Sequence, residues 1–193
     1  MMMILASQSP RRKRLLSQIL TGHRFRVFPS RVRERRRPDE SPRAFARRMA
    51  QTKVRHVWQR HHGRIKGPAL IIGADTVIAD RGFIIGRPRS ARHACQILAR
   101  LSDRSHEVIT GVCLYRTSDG RTFTTSVTSR VWMKKLSAAQ IRSYVASGEP
   151  LDKAGAYGIQ GRGRRLISKY RGSYSNIVGL PSVAVLTLLR AAR

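Results

Sequence analysis

"ILASQSPRRKRLLSQIL", residues Ile4 to Leu20, spells a strand, a helix cap and a helix in immediate succession. Ile4-Leu5-Ala6 is a short apolar run of the kind a buried strand uses. Ser9 is a good N-cap, and Pro10 suits the first helical position, where its missing N–H is not needed. Leu15, Leu16, Ile19 and Leu20 then form an apolar stripe at helical spacing. Arg11, Arg12, Lys13 and Arg14 therefore occupy the first turn. The helix macrodipole makes that end partly positive, so it favours acids there and opposes bases. Four cations at this position call for an anion.

The strand-then-helix reading extends along the chain. Ser41-Pro42 repeats the cap signal and opens a second helix, with Asp39 and Glu40 placed to suit its dipole. Ala46, Met49, Ala50 and Val57 share one face of it, and Lys53 falls on that same face. A core-facing lysine is costly unless paired with an anion, so Lys53 is a pocket candidate; a snorkelling side chain at the helix edge is the rival reading. "GPALIIGADTVIAD" (Gly67 to Asp80) holds a continuous apolar run that stops at Gly73 and then presents Asp75. Ala91 to Ser102 reads as a helix, "HEVITGVCLYR" and "RTFTTSVTSRVWMKKL" as strands, and Ser137 to Gly148 as a short helix. "EPLDKAGAYGIQGRG" is a glycine-rich loop able to approach a ligand closely, although it fits neither common phosphate-loop pattern. "NIVGLPSVAVLTLL" reads as a strand-like piece and, after Pro181, an apolar helix. The alternation indicates a single α/β or α+β domain over residues 1–193.

Of 193 residues, 39 are Lys or Arg against 10 Asp or Glu, a net charge of +29 that favours polyanion partners. Solvated surface arginine is the plainer explanation of the excess, so position must carry any argument about anions. Cys95 and Cys113 make neither a disulfide framework nor a metal site, which suits a reducing cytoplasm. His61-His62 reads as a solvated loop. No apolar run approaches the ~20 residues that span a bilayer, so no membrane association is expected. Residues 1–33 lack acids, as a transit peptide would, but their strand, cap and helix pattern argues for a folded segment.

With only ten acids, the candidate bases and metal ligands can be enumerated. Asp119-Gly120 reads as a hairpin turn, Asp80 followed by Arg81-Gly82 as another, and Asp103 and Glu107 as solvated acids flanking strand starts. Asp75 stands apart, just past the carboxyl end of a buried strand, where open α/β sheets place ligand sites. Glu34, between Arg33 and Arg35, is either a local ion pair or a ligand for a hard cation. A helix N-terminus with arginines and the Ser9 hydroxyl forms an anion site. Polyphosphate beside carboxylates implies a divalent cation, because Mg²⁺ binds through one or two carboxylates and the substrate's phosphates. The composite is that of a phosphoanhydride or phosphate-ester hydrolase.

"LASQSPRRKRLL", "GADTVI", "GRPRS", "LSDRSHEVITGV", "SGEPLDKAGAYGIQG" and "GSYSNIVGLP" together resemble the Maf family of nucleoside triphosphate pyrophosphatases, from about Ile4 to Leu189. The resemblance implies an elongated, mixed-sheet α/β fold of the ITPase-like type, usually homodimeric. It implies metal-dependent cleavage, with Mg²⁺ or Mn²⁺, of a nucleoside triphosphate to the monophosphate and pyrophosphate. Asp75, Lys53 and Arg87 are its implied catalytic residues, Glu34 and Asp75 its metal ligands, and Ser9, Arg11 and Arg12 its phosphate contacts. Arg11, Thr76 and Gln160 match the dTTP/UTP subgroup rather than the 7-methyl-GTP subgroup. Departures are Arg87 where lysine is usual, Arg33 in place of an acid, and Asp103 in place of glycine. The alternative is a Maf-like protein with weakened catalysis that binds nucleic acid through its basic surface. Its low aromatic content, 6%, gives little for base stacking.

Overall fold

The computed structural model describes residues 1–192. Strand β1 (Met2–Leu5) runs parallel to both β2 (Phe25–Val27) and β3 (Ala69–Asp80). Parallel neighbours need crossovers, which α1 (Pro10–Ile19) and α2 (Pro42–His61) supply. Every later pairing is antiparallel: β3 with β4 (Phe83–Ile85) and β5 (Ser105–Arg116), then β6 (Thr122–Met133) and β7 (Ile167–Arg171). The result is one mixed sheet of order β2-β1-β3-β5-β6-β7, with β4 against the far end of β3. The mixed α/β architecture expected from the sequence is the one observed.

The caps behave as read. The Ser9 hydroxyl accepts from the Arg12 amide and the Ser41 hydroxyl from the Ala44 amide. Helix α3 (Ala91–Leu101) starts at Ser90, and α4 (Ala138–Ala146) carries a reciprocal capping box between Ser137 and Gln140. Asp119-Gly120 makes the β5–β6 turn, with Gly120 at φ 71°. Asp103 at φ 58° adopts the left-handed conformation that glycine would, and aspartate is among the residues that tolerate it.

Four readings are corrected. Strand β3 does not stop at Gly73 but runs on to Asp80, so Asp75 lies mid-strand. Gly73 is there for packing: a Cβ would sit 2.6 Å from Val54 Cγ2 and 2.7 Å from the Ala50 carbonyl oxygen of α2. Asn176 to Val178 is not extended but part of α5 (Tyr174–Val178), capped by Ser173. His61 ends α2 and stacks on Phe28 at 4.6 Å rather than lying in a loop. Asp80 is buried at the end of β3 and paired with Arg100 at 3.0 Å, leaving the turn to Arg81-Gly82.

Side chains alternate across β3. One face packs Ile71, Val77 and Ala79 against Phe45, Ala46, Met49, Ala50, Val54 and Val57 of α2. Gly111 on β5 lets α2 approach, since a Cβ there would collide with the Ala46 backbone. The opposite face packs Leu70, Ile72 and Ala74 with Leu16 of α1, Leu180, and Val185 and Leu188 of α6 (Ser182–Ala191). One register detail positions the site. Pairing of β3 with β1 ends at Ile72, and pairing with β4 begins at Ile78. From Gly73 to Val77 that edge of β3 faces neither strand. Residues on opposite faces of the sheet can border one cleft there.

The third packed region contains a buried histidine. His106 is 2% exposed, its Nε2 lies 2.6 Å from the Tyr157 hydroxyl, and burial pushes its pKa down to about 4. The unfolded chain takes up this proton at an ordinary histidine pKa and the folded protein does not, so stability should fall as pH drops from about 6.5 toward 4. The expected loss from this residue is at most about 3 kcal/mol. Urea unfolding at pH 7 and pH 4.5 should show it, and His106→Gln should have a flatter pH dependence. An identical pH slope in the variant would refute the assignment.

Candidate active site

The free edge of β3 opens onto a cleft of about 510 Å³. Ser9, Arg11, Arg12, Glu34, Lys53, Asp75, Thr76, Arg87 and Gln160 all line it. Residues scattered from position 9 to position 160 are thus brought together, and none of the sequence-predicted site residues lies elsewhere.

Lys53 resolves its own question. It is 8% exposed, and its ammonium donates to Asp75 Oδ1 at 2.5 Å and to Glu34 Oε1 at 2.7 Å. The pocket reading holds, and the snorkelling alternative does not. Asp75 is 3% exposed, whereas the Glu34 side chain, 42% exposed, sits at the rim. Burial holds the Asp75 carboxyl above its usual range, opposed by the charge of Lys53 and reinforced by Glu34. For Glu34 partial burial acts upward, but the charge and hydrogen bond of Lys53, with Arg87 and Arg12 nearby, bring the net shift down. Asp75 Oδ2 is buried and has no hydrogen-bond partner among the described residues. An uncompensated carboxylate oxygen beside a cleft is unusual in a native structure and points at something the cleft is built to hold.

On the other face of the sheet, Arg12 ties the cleft wall together. Its Nε donates to the Gly179 carbonyl at 2.8 Å, Nη2 to Thr76 Oγ1 at 3.0 Å, and Nη1 to Ser7 Oγ at 3.4 Å. Thr76 Oγ1 is also 3.0 Å from Thr110 Oγ1. Arg11 reaches across to Asp152 at 3.6 Å. Lys13 and Arg14 are exposed, so only Arg11 and Arg12 of the four opening cations line this cleft.

Supporting contacts were missed in the sequence. Glu40 does more than suit the α2 dipole. Its carboxylate takes bonds of 2.6 and 2.7 Å from Arg48, whose Nη2 also donates to the Arg35 carbonyl at 2.8 Å. The Arg36 side chain donates to the Glu40 carbonyl at 2.7 Å. This pair fastens the charged loop that carries Glu34 onto α2. The i, i+8 spacing across a helix start was the available signal. The glycine-rich loop reaches the cleft, which Gly158, Gln160 and Gly161 line, while the Arg162 and Gly163 amides at its end bind the protein's own Glu149 carboxylate, each at 3.0 Å.

The geometry defines a cleft lined by Arg11, Arg12 and Arg87 around a buried lysine–carboxylate centre. The chain matches the Maf-like protein family over residues 2–192 and belongs to that family. It is 46% identical to the dTTP/UTP pyrophosphatase of Dictyoglomus turgidum over 187 residues, 96% of this chain and 93% of that protein. It is 40% identical to the dTTP/UTP pyrophosphatase of Aquifex aeolicus over 190 residues, 98% of this chain and 95% of that protein. A solved nucleoside-triphosphatase / dITP/XTP pyrophosphatase from Mycobacterium abscessus aligns with 99% of this chain and 97% of its own, at 17% identity and a TM-score of 0.47.

If Lys53 compensates the buried carboxylate, its removal should be costly and its partner's neutralisation should restore part of the loss. Lys53→Met should destabilise by roughly 3 kcal/mol, the scale for breaking a buried pair. The double variant Lys53→Met/Asp75→Asn should be more stable than Lys53→Met alone, as measured by denaturant unfolding. Additive losses would mean the two groups do not depend on each other.

Proposed function

We propose that the protein is a nucleoside triphosphate pyrophosphatase that cleaves dTTP and UTP to the monophosphate and pyrophosphate. The observation that carries this reading is the buried, unpartnered Asp75 Oδ2 in a cleft also lined by Lys53, Arg11, Arg12 and Arg87. Membership of the Maf family and the names of its close relatives support the substrate class.

In this reading a water oxygen forms a bond to a phosphorus atom of the triphosphate and the α–β anhydride bond breaks. The water's proton passes to Asp75 Oδ2, the one oxygen of that carboxylate without a partner. Lys53 holds the other oxygen and fixes the carboxylate's orientation. Arg11, Arg12 and Arg87 neutralise the charge that develops on the phosphates, and the Ser9 hydroxyl, already accepting the Arg12 amide, keeps its own O–H for a phosphate oxygen. At the base end, Gln160 presents an amide with both a donor and an acceptor, which matches the N–H and carbonyl edge of uracil or thymine.

Among the described residues no three His, Cys, Asp or Glu side chains cluster as a metal cage. Glu34 at the rim nevertheless fits Mg²⁺ or Mn²⁺, since such ions take one or two carboxylates and complete their shell with substrate phosphates and water, and Asp75 Oδ2 would join it as a ligand only in place of accepting the proton. When bound, the ion would polarise the phosphates and lower the pKa of a water.

Asp75→Asn is expected to lower turnover on the order of 10²-fold or more while nucleotide binding survives, because a base acts mainly in the transition state. Pyrophosphate release and equilibrium binding of UTP measure the two effects. Near-normal turnover in Asp75→Asn would remove Asp75 from the reaction. Across a panel, dTTP and UTP should be preferred over dATP, GTP and 7-methyl-GTP by roughly tenfold or more. Equal rates, or a purine preference, would overturn the substrate assignment.

A further inference from the structure

The glycine-rich loop opens, just after α4, with a short turn over residues 149–153 whose charges have no part in the reaction above. Each polar side chain of this turn is nonetheless engaged. Glu149 Oε1 accepts from the Tyr144 hydroxyl and the Gly163 amide, both at 3.0 Å, and Oε2 accepts from the Arg162 amide at 3.0 Å. The Lys153 ammonium donates to the Glu149 carbonyl at 2.6 Å and to Asp152 Oδ1 at 2.5 Å. Asp152 Oδ2 lies 3.6 Å from Arg11 Nη1 across the cleft.

The glycines of the following loop are shaped to this carboxylate. Gly161 sits at φ 72°, and a Cβ there would lie 2.9 Å from Glu149 Oε2. At Gly163 a Cβ would lie 2.7 Å from the Tyr144 hydroxyl and would meet the Gly158 backbone. Successive backbone amides that curl around an anion form a nest, and here the anion is internal. Burial acts to raise the Glu149 pKa, but its amide and tyrosine donors outweigh it, so the group stays ionised at neutral pH.

Gln160 directly precedes the nest and lines the cleft, as does Arg11. One turn therefore anchors, through Glu149, the backbone just after Gln160, and meets Arg11 through Asp152; both Gln160 and Arg11 line the cleft. We propose that Glu149–Lys153 is a clasp that sets nucleotide selectivity, with Glu149 a positioning residue for Gln160 and Asp152 a positioning residue for Arg11. This inference rests on the pyrimidine triphosphate reading above. It assigns to these acids neither metal binding nor proton transfer; they act by fixing where an amide and a guanidinium stand. Guanine offers the same adjacent N–H and carbonyl as uracil, whereas cytosine presents the reverse pattern, so an amide held in one orientation at position 160 tells uracil from cytosine and a misdirected one does not.

The test is the ratio of kcat/KM for UTP to that for CTP, a quantity that a general loss of active protein leaves unchanged. Wild type should favour UTP. Glu149→Ala should shrink the ratio about tenfold, and Asp152→Asn and Tyr144→Phe by a smaller, few-fold factor, with Glu149→Gln between them because it keeps one acceptor. Thermal melting establishes that each variant is folded. A folded Glu149→Ala protein with all rates lowered alike and the ratio intact would overturn the clasp while leaving the proposed function standing. If Glu149→Ala does not fold, Tyr144→Phe, which removes one hydroxyl, decides in the same way. Wild-type turnover without a preference for UTP over CTP would overturn the clasp's selectivity role, and absence of pyrophosphate release from any triphosphate would overturn the proposed function itself.

Discussion

A buried ammonium ion must be compensated, and in this protein that requirement organises the centre of the molecule. Lys53 sits on the face of α2 that is otherwise alanine, methionine and valine, and it reaches the carboxylates of Asp75 and Glu34. For it to do so, α2 must lie close to the sheet, which Gly73 and Gly111 permit. The sheet must also leave one edge of β3 free where Asp75 stands, which follows from β1 ending its pairing at Ile72 and β4 beginning at Ile78. The third requirement is that Glu34 be held at the rim, and the Glu40–Arg48 pair fastens its loop. Packing, register and loop geometry all serve one ionic contact. Such a contact adds little net stability by itself, because desolvation offsets most of the attraction. Its value is in specifying position.

The large positive charge looks different once its members are located. Arg12 is a structural tie among Ser7, Thr76 and Gly179, and Arg48 fastens a loop. Arg43 and Arg47 reach hydroxyls of Ser126, Thr128 and Thr124 on β6. Arg116 closes the β5–β6 turn on Asp119. Guanidinium groups with several donors in a plane suit such bridging. Part of the arginine excess is therefore internal carpentry, and the charges that bear on function are the few that converge on the cleft.

Much of this was legible in the sequence. Ser9-Pro10 and Ser41-Pro42 are local signals, decided within a single turn of chain, and both caps formed as read. Lys53 was legible because its wrong-facing charge violates helix periodicity. Asp75 was found for a partly mistaken reason: the free edge belongs to the end of β1, not of β3, and pairing partners cannot be read from one strand's own residues. Asn176–Val178 looked extended because β-branched residues dominate it, but Ser173 caps a helical turn and Asn176 spends its side-chain amide on the Val108 carbonyl and Ser129. The clasp around Glu149 escaped notice for a similar reason. Its donors come from 5, 13 and 14 residues away, and nothing local in a glycine-rich stretch that lines a cleft tells which of its amides the protein itself takes up.

Function is proposed to reside in a partly enclosed cleft built around the Lys53–Asp75 contact, not on the basic exterior. A single salt series addresses it directly, with pyrophosphate release measured at saturating UTP and duplex DNA affinity measured in the same buffers. Exposed cations lose a polyanion steeply as salt rises, through counterion release, whereas a partly enclosed site is screened far less. The account expects DNA affinity to fall by orders of magnitude while saturated turnover stays nearly level. Turnover that collapses in step with DNA binding would contradict it, since both would then depend on one exposed surface.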